Sequence, residues 1–400
     1  MSDWETTTLG DLCRQGGGAI QTGPFGSQLH AHDYVAEGVP SVMPQNIGEN
    51  VISEEGIARI SDADAQRLAK YLLQPGDIVY SRRGDVEKRA LVRSHNAGWL
   101  CGTGCLRVRL GHRSTHDPRF VSYLLGMESA RAWIVRHAVG ATMPNLNTSI
   151  LSALPLAIPE PAEQRAIAEV LGALDDKIAA NTRLATTADE WVRATWARTC
   201  VNADTTRPVA SLADSIRDVI DPRDASSDHV YVGLEHMPRR QMWLPDHGLA
   251  DSVTSAKSGF LEGDVLFGKL RPYFHKVVAA PKSGICSTDV LVLRAQESTL
   301  RGFVLAALVS DATVAAATAS SEGTRMPRTS WRDLAAVEVP WPGSSAAEAF
   351  SSEVEVLRAT VDARLAENLA LTATRDALLP ALMSGKLRVR DGERVVEDAV

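Results

Sequence analysis

Internal duplication limits what this chain can fold into more than any other feature. The stretch QPGDIVYSRRG at 74–84 resembles LEGDVLFGKLR at 261–271, aligning Asp77 with Asp264 at an offset of 187. Further on, 139–159 matches 321–342, where Gly140/Gly323, Met143/Met326, Pro144/Pro327, Leu151/Leu334, Leu156/Val339 and Pro159/Pro342 share an offset of 183. Near the two starts, Leu9 and Asp11 line up with Leu212 and Asp214 at 203. The offsets differ, so two modules share a frame while their interiors have gained and lost residues. Each module reads as mixed α/β. GDIVYSR and GDVLFGK are short β-branched and aromatic runs opened by Gly-Asp, as strands leaving turns should be, and CLRVRL (105–110) and DVLVLRA (289–295) read alike. Between these and the Met-Pro segments, 120–138 and 300–318 carry apolar residues at three- and four-residue spacings, which predicts helices.

Each module is followed by a long helical pattern. From 162 to 198 the apolar stripe is Ile167, Val170, Leu171, Leu174, Ile178, Leu184, Ala188 and Trp191, over roughly 55 Å at 1.5 Å per residue. After the second module the stripe is Val354, Leu357, Val361, Leu365 and Leu369, opened by a Ser345/Glu348 capping box and stopped by Gly385. At an offset of 187, Ile167/Val354, Val170/Leu357, Leu174/Val361, Ile178/Leu365 and Asn181/Asn368 correspond. A single stripe this long must be buried against something. The first helix delivers the chain to the second module, and the second helix leaves that module. An antiparallel coiled coil packed through Ile167, Val170, Leu174, Ile178, Val354, Leu357, Val361 and Leu365 meets the need, with a pseudo-twofold axis relating the halves. Its competitor folds each helix onto its own module and needs a wider apolar face. Asn181 and Asn368 sit where a polar residue in a seam can set register. The expected fold class is therefore α+β, with modules at 1–160 and 201–343, helices at 161–200 and 344–385, and a tail at 386–400.

Composition excludes several functions. Four hundred residues with 44% apolar and 23% charged composition fit a globular multidomain chain. The longest clean apolar run, Phe303 to Val309, falls far short of a bilayer span, and the N-terminus shows no secretory signal. Five scattered cysteines suit a reduced, cytoplasmic setting. There is no GxxxxGK[ST] phosphate loop and no Asn/Asp-Pro-Pro-aromatic run of an amino-methylase. Cys101 and Cys105 lack a second cysteine pair, the histidines do not cluster at metal spacings, and Asp85 and Glu87 do not make a nuclease metal site. The chain reads as a non-catalytic reader that binds no metal. A net charge of −7 argues against coating nucleic acid through bulk charge, yet 79–93 is locally +3 and 265–288 locally +4.

Two diverged α/β modules, each followed by a long helix, resemble the specificity subunit of Type I restriction–modification systems. The residues that carry the likeness run from Trp4 to about Val389. They are GPFGSQL (23–29), VPSVMPQNI (39–47), GDIVYSRRG (76–84), MPNLN (143–147) and IPEPAEQRAIAEVLGALDDKI (158–178), then GDVLFGKLRPYFHK (263–276), STDVLVLR (287–294) and LLPALMSGKL (378–387). Each is weak alone; their order and duplication are specific. The resemblance implies that each module is a target recognition domain reading one half of a split site in double-stranded DNA. The helices would act as spacer and as docking platform for two modification (methyltransferase) subunits, with a restriction/translocase subunit as a further partner. S-adenosylmethionine, ATP and Mg²⁺ would then be held by those partners and no cofactor by this chain. Candidate DNA-contacting residues are Ser27, Gln28, Gln45, Asn46, Arg82 and Arg83 in the first module, and Lys269, Arg271, Tyr273, Arg325 and Arg328 in the second. They suit phosphate positioning and base-edge reading. The second module lacks a GPFGS-like loop, so its contacts do not follow by symmetry. The competing readings are a free-standing two-headed DNA-binding regulator and a subunit of a methylase-only or diverged defence system.

Overall fold

The computed structural model describes residues 4–140, 142–221, 223, 229–321 and 326–397. Both modules are built on a four-stranded antiparallel sheet. In the first its strands are β1 (Ala19–Thr22), β2 (Ile78–Ser81), β3 (Arg89–Leu91) and β4 (Cys105–Arg109), in spatial order β1-β4-β2-β3. In the second they are β5 (Ala213–Ile216), β6 (Val265–Gly268), β7 (Val277–Ala279) and β8 (Val290–Ala295), in order β5-β8-β6-β7. The order is the same. Strands β2 and β6 are buried along their whole length, which is why GDIVYSR and GDVLFGK run apolar instead of alternating. A second sheet lies in each module, four-stranded in the first and five-stranded in the second, and each contains a parallel pair: Val39–Val42 with Leu100–Cys101, and Val230–Val232 with Gly284–Cys286. The entering and leaving strands of each module also pair, Glu5–Thr8 with Pro155–Ile158 and Thr205–Pro208 with Glu338–Trp341.

The Gly-Asp motif has a structural reason in both copies. Gly76 and Gly263 take φ of 87° and 83°, the left-handed position of a tight turn that a side chain would strain. The following carboxylates are buried and meet an arginine two-pronged. Arg109 donates to Asp77 at 2.7 and 2.5 Å, and Arg294 to Asp264 at 2.7 and 2.7 Å. Each carboxylate also accepts from its own turn, from the Gln74 and Leu261 backbone N–H groups at 2.8 Å. Removing one partner of such a pair strands the other in low dielectric.

Two compact units emerge, one of residues 1–175 with 374–400, the other of 176–373. This division cuts through both long helices, whereas the segment boundaries read from the sequence follow secondary structure. The helices span Pro161–Cys200 and Ser344–Met383. Within the second unit they are antiparallel. Asn181 meets 364–368, while Ala188 and Trp191 lie opposite 352–360. Asn181 Nδ2 donates to Asn368 Oδ1 at 2.9 Å and to the Arg364 carbonyl, and Asn368 Nδ2 donates back to the Ile178 carbonyl at 3.4 Å. This exchange has the local form of a twofold. In the first unit Asp175 accepts from Arg375 at 2.9 Å, and Tyr123 of the module donates to the same carboxylate at 2.6 Å.

The stripe itself needs correcting. Ile167, Val170, Leu171, Leu174, Val354, Val361 and Leu365 are buried as read, but Leu184, Trp191 and Leu369 are exposed, and around Asn181 the buried positions are Asn181, Ala185, Ala188, Val192 and Thr195 on the first helix and Asn368 and Leu371 on the second. Ile178 and Leu357 are only half-buried. The four-then-three spacing of Asn181 to Thr195 is a coiled-coil period. The helices also pack on module residues, so the competing arrangement is partly realised. Ser351 Oγ accepts from the Gly302 N–H, Val354 sits against Gly302, and Asp189 accepts from the Met242 N–H at 2.8 Å. Nor is 386–400 a simple tail: Val389–Glu397 is helical. Among the described residues, no single helix is long and apolar enough to cross a membrane.

Candidate nucleic-acid interface

The two repeat frames, offset by 187 and by 183, meet in space. The turn after β2 pairs with the Met-Pro segment: Gly84 N–H donates to the Pro144 carbonyl at 3.1 Å, and Leu146 N–H to the Arg82 carbonyl at 2.9 Å. In the second module Arg271 N–H donates to the Pro327 carbonyl at 2.7 Å, and Thr329 N–H to the Lys269 carbonyl at 3.1 Å. Arg83 bridges Asn145 as Leu270 bridges Arg328. Each of these contacts in one copy has its counterpart in the other. The constant feature of each module is therefore a basic strand-turn clamped to a Met-Pro segment, with Met143 and Met326 exposed beside it.

In the first module this clamp lies at one end of the main sheet. Ser81 at the end of β2 and Thr22 at the end of β1 both pair at the start of β4, and Arg82 N–H donates to the Gly104 carbonyl at 2.8 Å. The 23–28 loop leaves from the same end, where Gly23 packs so closely on Gly102 that a Cβ would collide with its carbonyl. Ser27 and Phe25 are exposed there. The turn carrying the exposed Gln45 adjoins it, with Pro44 against Gly104. Arg83 is exposed and Arg82 half-buried. Two candidates are otherwise engaged. Asn46 is fully buried, donating to the Ser53 and Glu55 carbonyls and accepting from the Met43 N–H, so it braces its loop and cannot reach a base. Gln28 is half-buried and accepts from the Tyr71 hydroxyl at 2.7 Å.

In the second module Lys269 and Arg271 are half-buried and Tyr273 and Arg328 exposed, Arg328 pairing with Asp289 at 3.3 Å. Arg325 lies outside the described residues. The turn is strained. Arg240, Arg271 and His275, three of the four described non-glycine residues at positive φ, converge here, Arg240 N–H donating to the His275 carbonyl at 2.9 Å. Arg271 stands at the position of Gly84, so a residue with a Cβ holds a φ of 52° where the first module uses glycine. Left-handed strain of this kind concentrates at functional sites. The His275 ring is buried, its Nε2 on the Val309 carbonyl at 2.9 Å, and burial pulls its pKa below the ordinary histidine value, which keeps it neutral. Arg239 lies 4.1 Å over the Phe274 ring, with Arg271 at 5.8 Å from the same ring. Arg239 and Arg240 escaped the reading of the sequence because they precede β6 by some 25 residues, although the Pro-Arg-Arg run was itself a signal. Lys276 turns inward to the Leu234 carbonyl.

A second surface lies on the helix pair of the 176–373 unit. Leu184, Ala188 and Trp191 face Val356, Leu357 and Thr360 across an apolar groove of about 740 Å³. Trp191 is 40% exposed and Val356 69%, a cost in water unless the groove is used.

The fold is thus that of duplicated α+β modules, each followed by a long helix. Residues 1–187 match the family model of the Type I restriction modification DNA specificity domain. The first module and the start of its helix are thus similar to that domain of the Type I restriction–modification specificity subunits. It is 31% identical over 114 residues, 28% of this chain and 25% of the relative, to the Type I restriction enzyme EcoDI specificity subunit of Escherichia coli. It is 25% identical over 223 residues, 54% of this chain and 44% of the relative, to the HindI specificity subunit of Haemophilus influenzae. The matches thus span less than half the length of these curated relatives. The crystal structure of the Type I system S subunit from M. genitalium shares the fold with a TM-score of 0.58 at 17% identity, covering 95% of this chain and 96% of that one.

Proposed function

We propose that this chain is the DNA-reading subunit of a Type I restriction–modification complex, non-catalytic itself, with each module reading one half of a split target. The observation that carries the reading is the clamp of basic strand-turn and Met-Pro segment, repeated contact for contact in both modules. Arginine and lysine in these turns supply phosphate contacts and guanine-reading forks, and Ser27 and Gln45 add polar contacts to base edges. The net negative charge implies weak binding alone, so partner subunits complete the enclosure of DNA. The groove at Trp191 suits an amphipathic helix of a modification subunit, because helix-in-groove recognition needs an apolar slot of this kind. Two such subunits would methylate adenine with S-adenosylmethionine, and a restriction subunit would use ATP and Mg²⁺. The test is methylation-sensitive sequencing of DNA exposed to this chain with its modification subunit. A bipartite adenine-methylated motif is expected; methylation of an undivided site, or none, would overturn the reading.

A further inference from the structure

The open groove has a counterpart through the repeat, and that counterpart is covered. At an offset of 187, Leu357 and Trp191 of the groove correspond to Val170 and Leu378 of the other unit. Trp191 is 40% exposed, whereas Val170 is 5% and Leu378 7% exposed. Against Val170 of this surface lies the C-terminal helix Val389–Glu397. It turns Val389, Gly392 and Val396 inward, at i, i+3 and i+7, while Arg390, Asp391, Glu393, Arg394 and Glu397 are exposed. A Cβ at Gly392 would lie 3.3 Å from Leu382 and 3.6 Å from Val170, so the short helix rests its backbone on both long helices at once. Glycine is a poor helix former, and close approach is what it provides at this position. Nine residues make a helix too short to persist without its docking surface, so its hold is reversible.

We propose that the C-terminal helix is a built-in occupant of one of two repeat-related docking surfaces, where it stands in for an amphipathic helix of a modification subunit. This rests on the docking role given to the Trp191 groove. The open groove then takes a first partner unopposed. The second partner must displace the C-terminal helix, so it binds at least about tenfold more weakly, and the helix sets the order of assembly.

The experiment titrates the full chain with its modification subunit, reading stoichiometry by native mass spectrometry and exchange at 389–397 by hydrogen–deuterium exchange. The wild type should bind in two steps, with exchange at 389–397 rising only at the second. Gly392→Glu and Val396→Asp, which loosen the helix, should bring the two affinities together. Two bound partners with 389–397 still protected would overturn the proposal, as would equal affinities in the wild type. That exchange measurement needs no variant, so a misfolded substitution does not blunt it. Trp191→Asp with Val356→Glu should abolish the first step. Survival of both steps in this double variant would instead sink the docking reading on which the proposal stands.

Discussion

Asp264 and Arg271 show two ways in which one residue can be held by its surroundings. Asp264 is buried under Arg294 with its turn N–H as a further donor. Asp264→Asn leaves the guanidinium facing a neutral amide, and a loss of about 3–5 kcal/mol is expected, measured by denaturant unfolding of the full chain. Asp77→Asn should behave alike, and an effect under 1 kcal/mol in either would show that the pairs are not what pins the sheet. Arg271 is held in the opposite sense, against its backbone preference. Arg271→Gly relieves left-handed strain of about 1–2 kcal/mol while adding about 0.5–1 kcal/mol of unfolded-chain entropy, so stability should change by about 1 kcal/mol or less. DNA binding by the assembled complex should nevertheless weaken, with the slope of log K against log salt falling by about 0.9 for a lost phosphate contact. If Arg271 reads guanine, the loss should be about 1–3 kcal/mol at a single motif position. Unchanged affinity at every salt concentration would remove Arg271 from the interface. The strand-turn was legible as a basic run; the strain was not, because φ at one residue depends on the segment clamped beside it.

Among the elements, the helix pair was readable in extent and in most of its buried face, with Ile167, Val170, Leu174, Val354, Val361 and Leu365 all buried. Of the large apolar residues in the stripe, Leu184, Trp191 and Leu369 are exposed, while Ala188, Asn181 and Asn368 are buried as read and Ala185 joins them. Small and polar residues let the helices approach and exchange hydrogen bonds, a choice that side-chain size alone does not reveal. Asn181→Leu should cost about 1–3 kcal/mol, because Asn368 loses its buried partner. The double change to leucine should recover most of that stability and loosen the register, seen as mixed cross-links between cysteine pairs placed along the seam. Asp362 makes the second helix pH-sensitive. Burial raises its pKa to about 6 despite the Arg358 guanidinium at 2.8 Å. A raised folded-state pKa means the folded chain binds the extra proton, so this stability is fully present below about pH 4 and is lost as pH rises through about 6. Asp362→Asn should therefore abolish this pH dependence, its melting temperature relative to wild type being higher at pH 8 than at pH 4, and a difference that does not change with pH would show that the carboxylate is not the titrating group.

For the whole molecule, duplication makes a divisible reader under the proposed function. Exchanging residues 4–160 for the matching module of a Type I specificity subunit should alter one half of the methylated motif and leave the other intact. A change in both halves would show that the modules do not read separately. The exchange boundary is practical because β-strands Glu5–Thr8 and Pro155–Ile158 pair and close the module at its own ends.

The sequence by itself determined the duplication, the strands at GDIVYSR and GDVLFGK, the two long helices and the basic turns. These are local: a Gly-Asp turn, a β-branched run and a three-four apolar spacing each act over fewer than about 20 residues. Only the tertiary structure decided that the two offset frames meet in one clamp, that Asn46 faces inward while Gln45 faces out, and that Val389–Glu397 covers Val170. Those outcomes join residues far apart in the chain. Which side of a turn or helix is buried depends on the partner surface that arrives, and local spacing carries no record of that partner.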